Sequence, residues 1–337
     1  MSDHFQKLQQ AKEQGALSQA LASMLHNFYL SYEEAIQENH FVPTSVSPIL
    51  NQFLDLVIEQ LKHPYHFEPY HHRMTKPVNY YAFGLNLIRP LIDFTRSSLN
   101  GSQHLNQIQA ALDRGDNVIL LSNHQTEPDP QAISLLIEKT HPKLAEEMIF
   151  VAGHRVTTDP LAVPFSKGRN LLCIYSKRHM EHPPEEKEEK LKYNQKTMKQ
   201  MVQLLNEGGK CIYVAPSGGR DRKDDSGRIE IAPFDPQSLE MFLLMASQAT
   251  PSTHFHTLAL STYDLLPPPS SVESSLGERR HAHCTPIHLV FGPEIDMHHF
   301  PGSDTQDKKE RRTQRAQWIW EKVVSDYNTL ITQRDKK

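Results

Sequence analysis

Cysteine is scarce in this chain: three in 337 residues, Cys173, Cys211 and Cys284, far apart and each set in an apolar or β-like stretch. That usage excludes a disulfide framework and fits reduced core thiols in a cytosol-like compartment. Long apolar runs are missing as well. None approaches the ~20 residues that a membrane-spanning helix needs. The opening Met1-Ser2-Asp3-His4-Phe5-Gln6 lacks the basic-then-apolar order of a secretory signal and is not Arg-rich like a transit peptide. Also absent are a His-Glu-x-x-His pair, a Cys pair at zinc-finger spacing, the P-loop lysine and a Gly-x-Ser-x-Gly nucleophile turn. A net charge of -4 argues against non-specific nucleic-acid binding. No cofactor and no metal are expected.

What is present is the composition of a globular protein, 38% hydrophobic and 23% charged, long enough for one large or two ordinary domains. Twenty histidines are many. They cluster at His63, His66, His71 and His72, at His281, His283 and His288, and at His298 and His299. With no ligand spacing among them, they read as solvated surface residues.

Residues 1–76 read as a small helical domain with a linker. Leu8, Leu17, Leu21, Met24, Leu25 and Phe28 recur at near-helical spacing, as do Ile49, Phe53, Leu54, Val57, Ile58 and Leu61. The pattern then breaks between Lys62 and Pro77. From 77 to 337 the reading is an α/β domain. Helices at Tyr80–Phe94 and Gln103–Arg114 lead to a strand at Val118–Ser122. A helix at Pro130–Lys139 follows, then strands at Met148–Ala152 and Leu171–Tyr175. A charged helix at Pro184–Asn206 has a solvated Glu181–Lys192 run. After it come a strand at Lys210–Ala215, a helix at Pro236–Ser247, strands near Thr257–Ser261 and at His283–Phe291, and a closing helix at Asp304–Ile331. This alternation predicts a mostly parallel, mixed sheet flanked by helices.

Chemistry concentrates where strands end. After Val118–Ser122 the chain reads Asn123-His124-Gln125-Thr126-Glu127-Pro128-Asp129-Pro130. This places a histidine and an aspartate on one strand-to-helix turn, where open α/β sheets bind ligands. Asp129 can fold back to one ring nitrogen of His124 and leave the other to take a proton. Asp129-Pro130 is equally a plain helix start, an N-cap followed by proline. Two further strand ends are basic: Ser176-Lys177-Arg178-His179, and Pro216-Ser217-Gly218-Gly219-Arg220-Asp221-Arg222. On a parallel sheet both would share the edge carrying His124 and gather Arg178, His179, Arg220 and Arg222 around one crevice. Arginine forks match phosphate oxygens. The alternative is a solvated basic turn paired with Asp221, Asp224 and Asp225.

The segment Asn123–Asp129 resembles the His-x4-Asp block of the glycerolipid acyltransferases. Gly168–Met180 and Ala215–Arg222 resemble the blocks that follow. More narrowly, they are similar to the soluble, plastid-type glycerol-3-phosphate acyltransferases, which also occur in some bacteria. The likeness runs from about Lys76 to Pro293. It implies that His124 is the catalytic base and Asp129 its partner. It also implies that Arg178, His179, Arg220 and Arg222 hold the phosphate of glycerol 3-phosphate; the family commonly has lysine where this chain has Arg178.

The activity implied is acyl transfer from acyl-carrier protein or acyl-coenzyme A to the sn-1 hydroxyl, giving lysophosphatidate. The protein would be a monomer in the bacterial cytoplasm, or in the plastid stroma if a transit peptide has been removed. Peripheral membrane contact is allowed and nucleic acid is not expected. Lys308, Lys309, Arg311, Arg312 and Arg315 are candidates for docking the acidic carrier protein, or simply a solvated helix start. The competing readings are a lysophosphatidate acyltransferase and a non-enzymatic binder of phospho-ligands or carrier protein.

Overall fold

Six consecutive residues, Asn117–Ser122, are buried without exception, and this strand lies near the middle of the sheet. A computed structural model describes residues 2–39, 42–181, 183–269 and 278–334. Its main sheet comprises β1 (Tyr70–His71), β2 (Ser98–Asn100), β3 (Asn117–Ser122), β4 (Ile149–Gly153), β5 (Asn170–Ile174) and β6 (Cys211–Val214), with two late strands. A separate ribbon pairs β7 (Arg222–Lys223) with β8 (Ile229–Glu230), and the late strands are β9 (Thr253–Ser261) and β10 (His288–Glu294). The order across the sheet is β1-β5-β4-β6-β3-β9-β10-β2. The five strands from β5 to β9 run parallel, while β1 and β10 pair antiparallel to their neighbours within that block.

The near-continuous apolar run in β3 follows from this position, because a strand covered on both faces needs no polar side. Val118 and Leu120 pack into one core with the helices Ser102–Asp113 and Asp129–Ile137. Ile119 and Leu121 point the other way, into a core with the helices Lys187–Glu207, Pro236–Ser247 and Lys308–Arg334. The last of these helices buries Ala316, Ile319, Val323, Tyr327 and Leu330 on one stripe. Each large apolar side chain so covered contributes roughly 1.5–3 kcal/mol.

Three N-terminal helices, Asp3–Glu13, Gln19–Glu38 and Ser47–Lys62, match the expected helical segment. Their core continues across Pro77 into Tyr80, Phe83, Leu87 and Leu91. Tyr32 donates to the Leu87 carbonyl at 2.7 Å, and Asn39 donates to the carbonyls of Pro90 and Ile92. The helix expected over Tyr80–Phe94 stops at Ile88 and tightens into a 3-10 turn at Arg89–Leu91. Pro90 cannot supply an amide hydrogen, which accounts for the stop.

Two short strands lie where no periodicity could signal them. Gly101, at φ 75°, turns the chain from β2 into the next helix. A Cβ there would meet the Phe291 carbonyl oxygen at 2.0 Å. β1 lies in the stretch read as linker, and it corrects the surface reading of the histidines. His71 is 3% exposed and His288 4%, whereas His63, His66, His72, His281, His283, His298 and His299 are exposed. Lys190, within the run read as solvated, is also buried; it donates to the His179 carbonyl and pairs with Glu186 at 3.1 Å.

Nε2–H of His71 donates to the Lys167 carbonyl at 3.2 Å, which leaves Nδ1 to accept from the Tyr65 hydroxyl at 3.1 Å. That arrangement holds the neutral ring. Burial pushes the imidazole down to about 4. The unfolded chain therefore binds more protons between pH 6.5 and 4, so stability rises with pH across that window. His71→Phe should remove a slope amounting to about 3 kcal/mol, read by chemical denaturation at pH 4 and pH 7. An unchanged pH slope would refute the assignment.

Candidate functional site

The turn after β3 is fixed from several directions. Tyr213 donates to the Asn123 carbonyl at 2.8 Å, and the Asn123 amide group both accepts from Leu260 N and donates to its carbonyl. The Gln125 side-chain oxygen accepts from the amides of Thr262 and Tyr263, at 2.8 and 3.1 Å. Between these two anchors His124 projects with 30% of its side chain exposed.

Asp129 is fully buried. Its Oδ2 accepts from His124 Nδ1 at 2.8 Å, from Gln125 N at 2.8 Å and from Thr126 N at 3.3 Å. Its Oδ1 accepts from the Thr262 hydroxyl at 2.5 Å. An ionised carboxylate only accepts, so Nδ1 carries the hydrogen and Nε2 is the basic nitrogen. No side-chain hydrogen bond caps the helix that begins at Asp129. The capping reading of this aspartate is thereby corrected: the carboxylate turns back to the loop, because His124 and two loop amides need it there.

Because β4, β5, β6 and β3 are parallel, the segments following them leave on one edge. Arg220 pairs with Glu278 at 2.7 Å, and Arg155, just beyond β4, reaches the same carboxylate at 3.6 Å. Burial would raise the Glu278 carboxyl, but Arg220, Arg280 and Arg155 outweigh it and hold it below the usual range. Arg222 differs from both other arginines: its Nη1 is buried and has no hydrogen-bond partner among the described residues. Burial, with Arg220 close by, lowers its pKa. His179 stands after β5, its Nδ1 2.9 Å from the Ser176 hydroxyl and its ring 6.5 Å from that of His154. The side chain of Arg178 lies outside the described residues, although its backbone is helical.

Asp221 does not pair with the arginines beside it. It is fully buried, and its carboxylate accepts from Asn123 Nδ2 at 2.9 Å, Gln125 Nε2 at 3.2 Å and Ala232 N at 3.0 Å. Its amide donates to the His124 carbonyl at 2.6 Å. The solvated-turn reading therefore fails at this residue, while Asp224 does pair locally, with Arg228. A signal was present: in extended backbone, Arg220 and Arg222 on one side put Asp221 on the other. Arg280, which pairs with Glu127 and Asp159 while buried among them, carried no such signal.

A mainly apolar cavity of about 120 Å³ lies beside His124, lined by Ala152, Val156, Ala162, Phe165 and Leu171 with Glu127, Gln131, Ser166 and Arg169 also in its wall. That exceeds the space for a single water several-fold.

The chain matches the acyltransferase family model over residues 99–261. It is 40% identical over 321 residues to a chloroplastic glycerol-3-phosphate acyltransferase of Cucurbita moschata, covering 94% of this chain and 72% of that one. The chloroplastic enzymes so named from Spinacia oleracea and Arabidopsis thaliana are each 36% identical, over 96% and 94% of this chain and 69% and 70% of theirs. The chain belongs to the glycerol-3-phosphate acyltransferase family. The catalytic-domain expectation of a mostly parallel sheet flanked by helices accords with the observed fold, and among the described residues no helix is long and apolar enough to cross a membrane.

Burial pushes the Asp221 carboxyl up to about 6, despite its three donors. The folded state then binds more protons than the unfolded one from pH 3.8 to 6, so stability falls as pH rises through that window. Relative to Asp221→Asn, the wild type should lose about 2 kcal/mol between pH 4 and pH 6. Parallel stability–pH curves for the two proteins would contradict this.

Proposed function

We propose that this protein transfers an acyl group from a thioester to the sn-1 hydroxyl of glycerol 3-phosphate, giving lysophosphatidate. The observation carrying this reading is the His124–Asp129 pair set on the same sheet edge as Arg222, whose buried Nη1 has no partner among the described residues. Arg222 as a whole is half-buried and joins no ion pair among the described residues, so a phosphate would supply the anion its guanidinium lacks. Arg220, with His179 and Arg178 from the end of β5, completes the phosphate site in this reading. The relatives' names, glycerol-3-phosphate acyltransferases, support the same acceptor.

In the reaction, His124 Nε2 takes the hydroxyl proton as the oxygen attacks the thioester carbonyl. Asp129 stabilises the imidazolium that forms. The tetrahedral intermediate then expels the thiolate, which recovers the proton from His124. Phosphate held by the arginines aligns the hydroxyl for attack. The acyl chain lies in the mainly apolar cavity beside His124. No acyl-enzyme is needed: Cys173 and Cys211 are buried in β5 and β6, and burial pushes both thiols up to about 12.

Acyl-carrier protein or acyl-coenzyme A is the donor. The expected basic docking patch is reduced, since Arg312 and Arg315 both pair with Glu240, at 3.2 and 2.8 Å. Lys308 and Lys309 are exposed, as is the paired Arg312, and the two lysines are the cations that carrier protein would meet in this reading. The free thiols suit a reducing compartment, either the chloroplast named for the relatives or a bacterial cytoplasm.

Thiol release from an acyl donor should require glycerol 3-phosphate. Release that ignores the acceptor marks a thioesterase, and preference for lysophosphatidate marks the competing acyltransferase. His124→Ala should lower turnover by about 10²–10⁴ while calorimetry still detects glycerol 3-phosphate binding; retained turnover would eliminate His124 as the base. Arg222→Ala should raise KM for glycerol 3-phosphate roughly tenfold or more with a smaller change in kcat. An unaltered KM would exclude Arg222 from the phosphate site.

A further inference from the structure

The two basic strand ends are not adjacent in the sheet. β4 lies between β5, which leads to Arg178 and His179, and β6, which leads to Arg220 and Arg222. The two residues that follow β4, His154 and Arg155, reach toward both sides of this gap. On the β5 side the His154 ring stacks on Tyr175 at 4.6 Å and lies 6.5 Å from the ring of His179. On the β6 side Arg155 Nε stands 3.6 Å from the Glu278 carboxylate that Arg220 holds at 2.7 Å. The contact of Arg220 is a hydrogen bond, whereas that of Arg155 is an ion pair beyond hydrogen-bond reach. Burial and Arg220 chiefly lower the pKa of Arg222, and Arg155 adds to them, so its charge is close to that guanidinium as well. Arg280 differs, being almost fully buried and matched by Glu127 and Asp159. The side chain of Arg155 remains 21% exposed.

We propose that Arg155 is a further substrate-binding residue, bringing a guanidinium to the phosphate of glycerol 3-phosphate from between the two basic turns. This rests on the phosphate reading argued above. Arg155, Arg220 and Arg222 gather around the single carboxylate of Glu278, which cannot match all three charges. A phosphate monoester carries about −1.5 to −2 charge at neutral pH and three acceptor oxygens, enough to engage more than one arginine fork. Glu278 draws Arg155 and Arg220 toward one point before substrate arrives. Less side-chain ordering is then left to the binding step. Arg155 has no part in proton transfer at His124.

Calorimetry with glycerol 3-phosphate and no acyl donor reads binding apart from turnover. Arg155→Met keeps an unbranched side chain without the charge. It should weaken binding and raise KM for glycerol 3-phosphate roughly tenfold, with a smaller change in kcat. Arg155→Lys keeps the charge but not the fork, and should fall between wild type and Arg155→Met. Wild-type affinity in either folded variant would overturn the proposal. A purely structural role, in which Arg155 only neutralises Glu278, is separated by repeating Arg155→Met in the Glu278→Gln enzyme. Contact with substrate predicts a loss of similar size in that background, and a counter-ion role predicts none. The second result would also overturn the proposal. Failure of the underlying reading looks different. If the wild type itself does not bind glycerol 3-phosphate, the phosphate site is lost and Arg155 with it. If the wild type binds and Arg222→Ala weakens it while Arg155→Met does not, only the role of Arg155 is lost.

Discussion

The site depends on one buried carboxylate. Asp129 has no solvent contact, and its four donors come from His124, two loop amides and Thr262 at the end of β9. An isolated ionised carboxylate would be untenable at that depth; one with its lone pairs filled by short hydrogen bonds is not. Each donor also does something structural. The two amides close the turn after β3, Thr262 ties that turn to the adjacent strand, and the imidazole is left with one orientation and one tautomer. The same contacts that make the charge tolerable therefore define which nitrogen of His124 is left free to accept a proton.

Charge elsewhere on this edge is arranged on different terms. Arg280 is surrounded by Glu127 and Asp159, and Arg220 and Arg155 share Glu278. These pairs offset the charge of Arg155, Arg220 and Arg280. What they leave is uneven, since Arg222 retains a buried donor atom without an acceptor among the described residues while Arg220 is already engaged. Exposed ion pairs contribute little, but these are largely withdrawn from water, so removing one partner would strand the other. The network thus holds the arginines in place as well as offsetting them. Within the proposed function, Arg222 is ready for an anion and Arg220 must divide itself between Glu278 and substrate.

The parts of this fold that periodicity encodes were legible in the chain. The six buried residues of β3 read as an apolar run, and the helix Pro236–Ser247 was readable to its ends because Asp235 caps it and Pro236 opens it. The family likeness was legible too, in the blocks that follow three of the strands. What resisted reading were features set by neighbours distant in sequence. β1 and β2, at two and three residues, are too short to show alternation. β9 begins at Thr253 rather than Thr257, because His254 and His256 interrupt the apolar pattern while still pairing with β3. His71 sits amid prolines and exposed histidines, and its pairing with β5 together with the rings of Tyr65 and Phe67 buries it. At the site, Asp129 was visible but its direction was not: a carboxylate before a proline caps a helix unless the loop preceding it competes more strongly for the same oxygens.

Asp221 links the loop of the proposed base to the proposed phosphate turn. Its amide holds the His124 carbonyl, and its carboxylate holds the side chains on both sides of that histidine. Its chain neighbours are Arg220 and Arg222. The loop carrying His124 and the turn carrying two arginines are therefore a single hydrogen-bonded unit, formed across β3 and β6. Effective molarity in a two-substrate reaction is sensitive to misplacement of about 1 Å. A base and an anion site on independent loops would let that error accumulate between them. Joined through a buried aspartate that faces away from the crevice, they move as one, and the distance between phosphate and hydroxyl is then matched against a fixed distance in the protein.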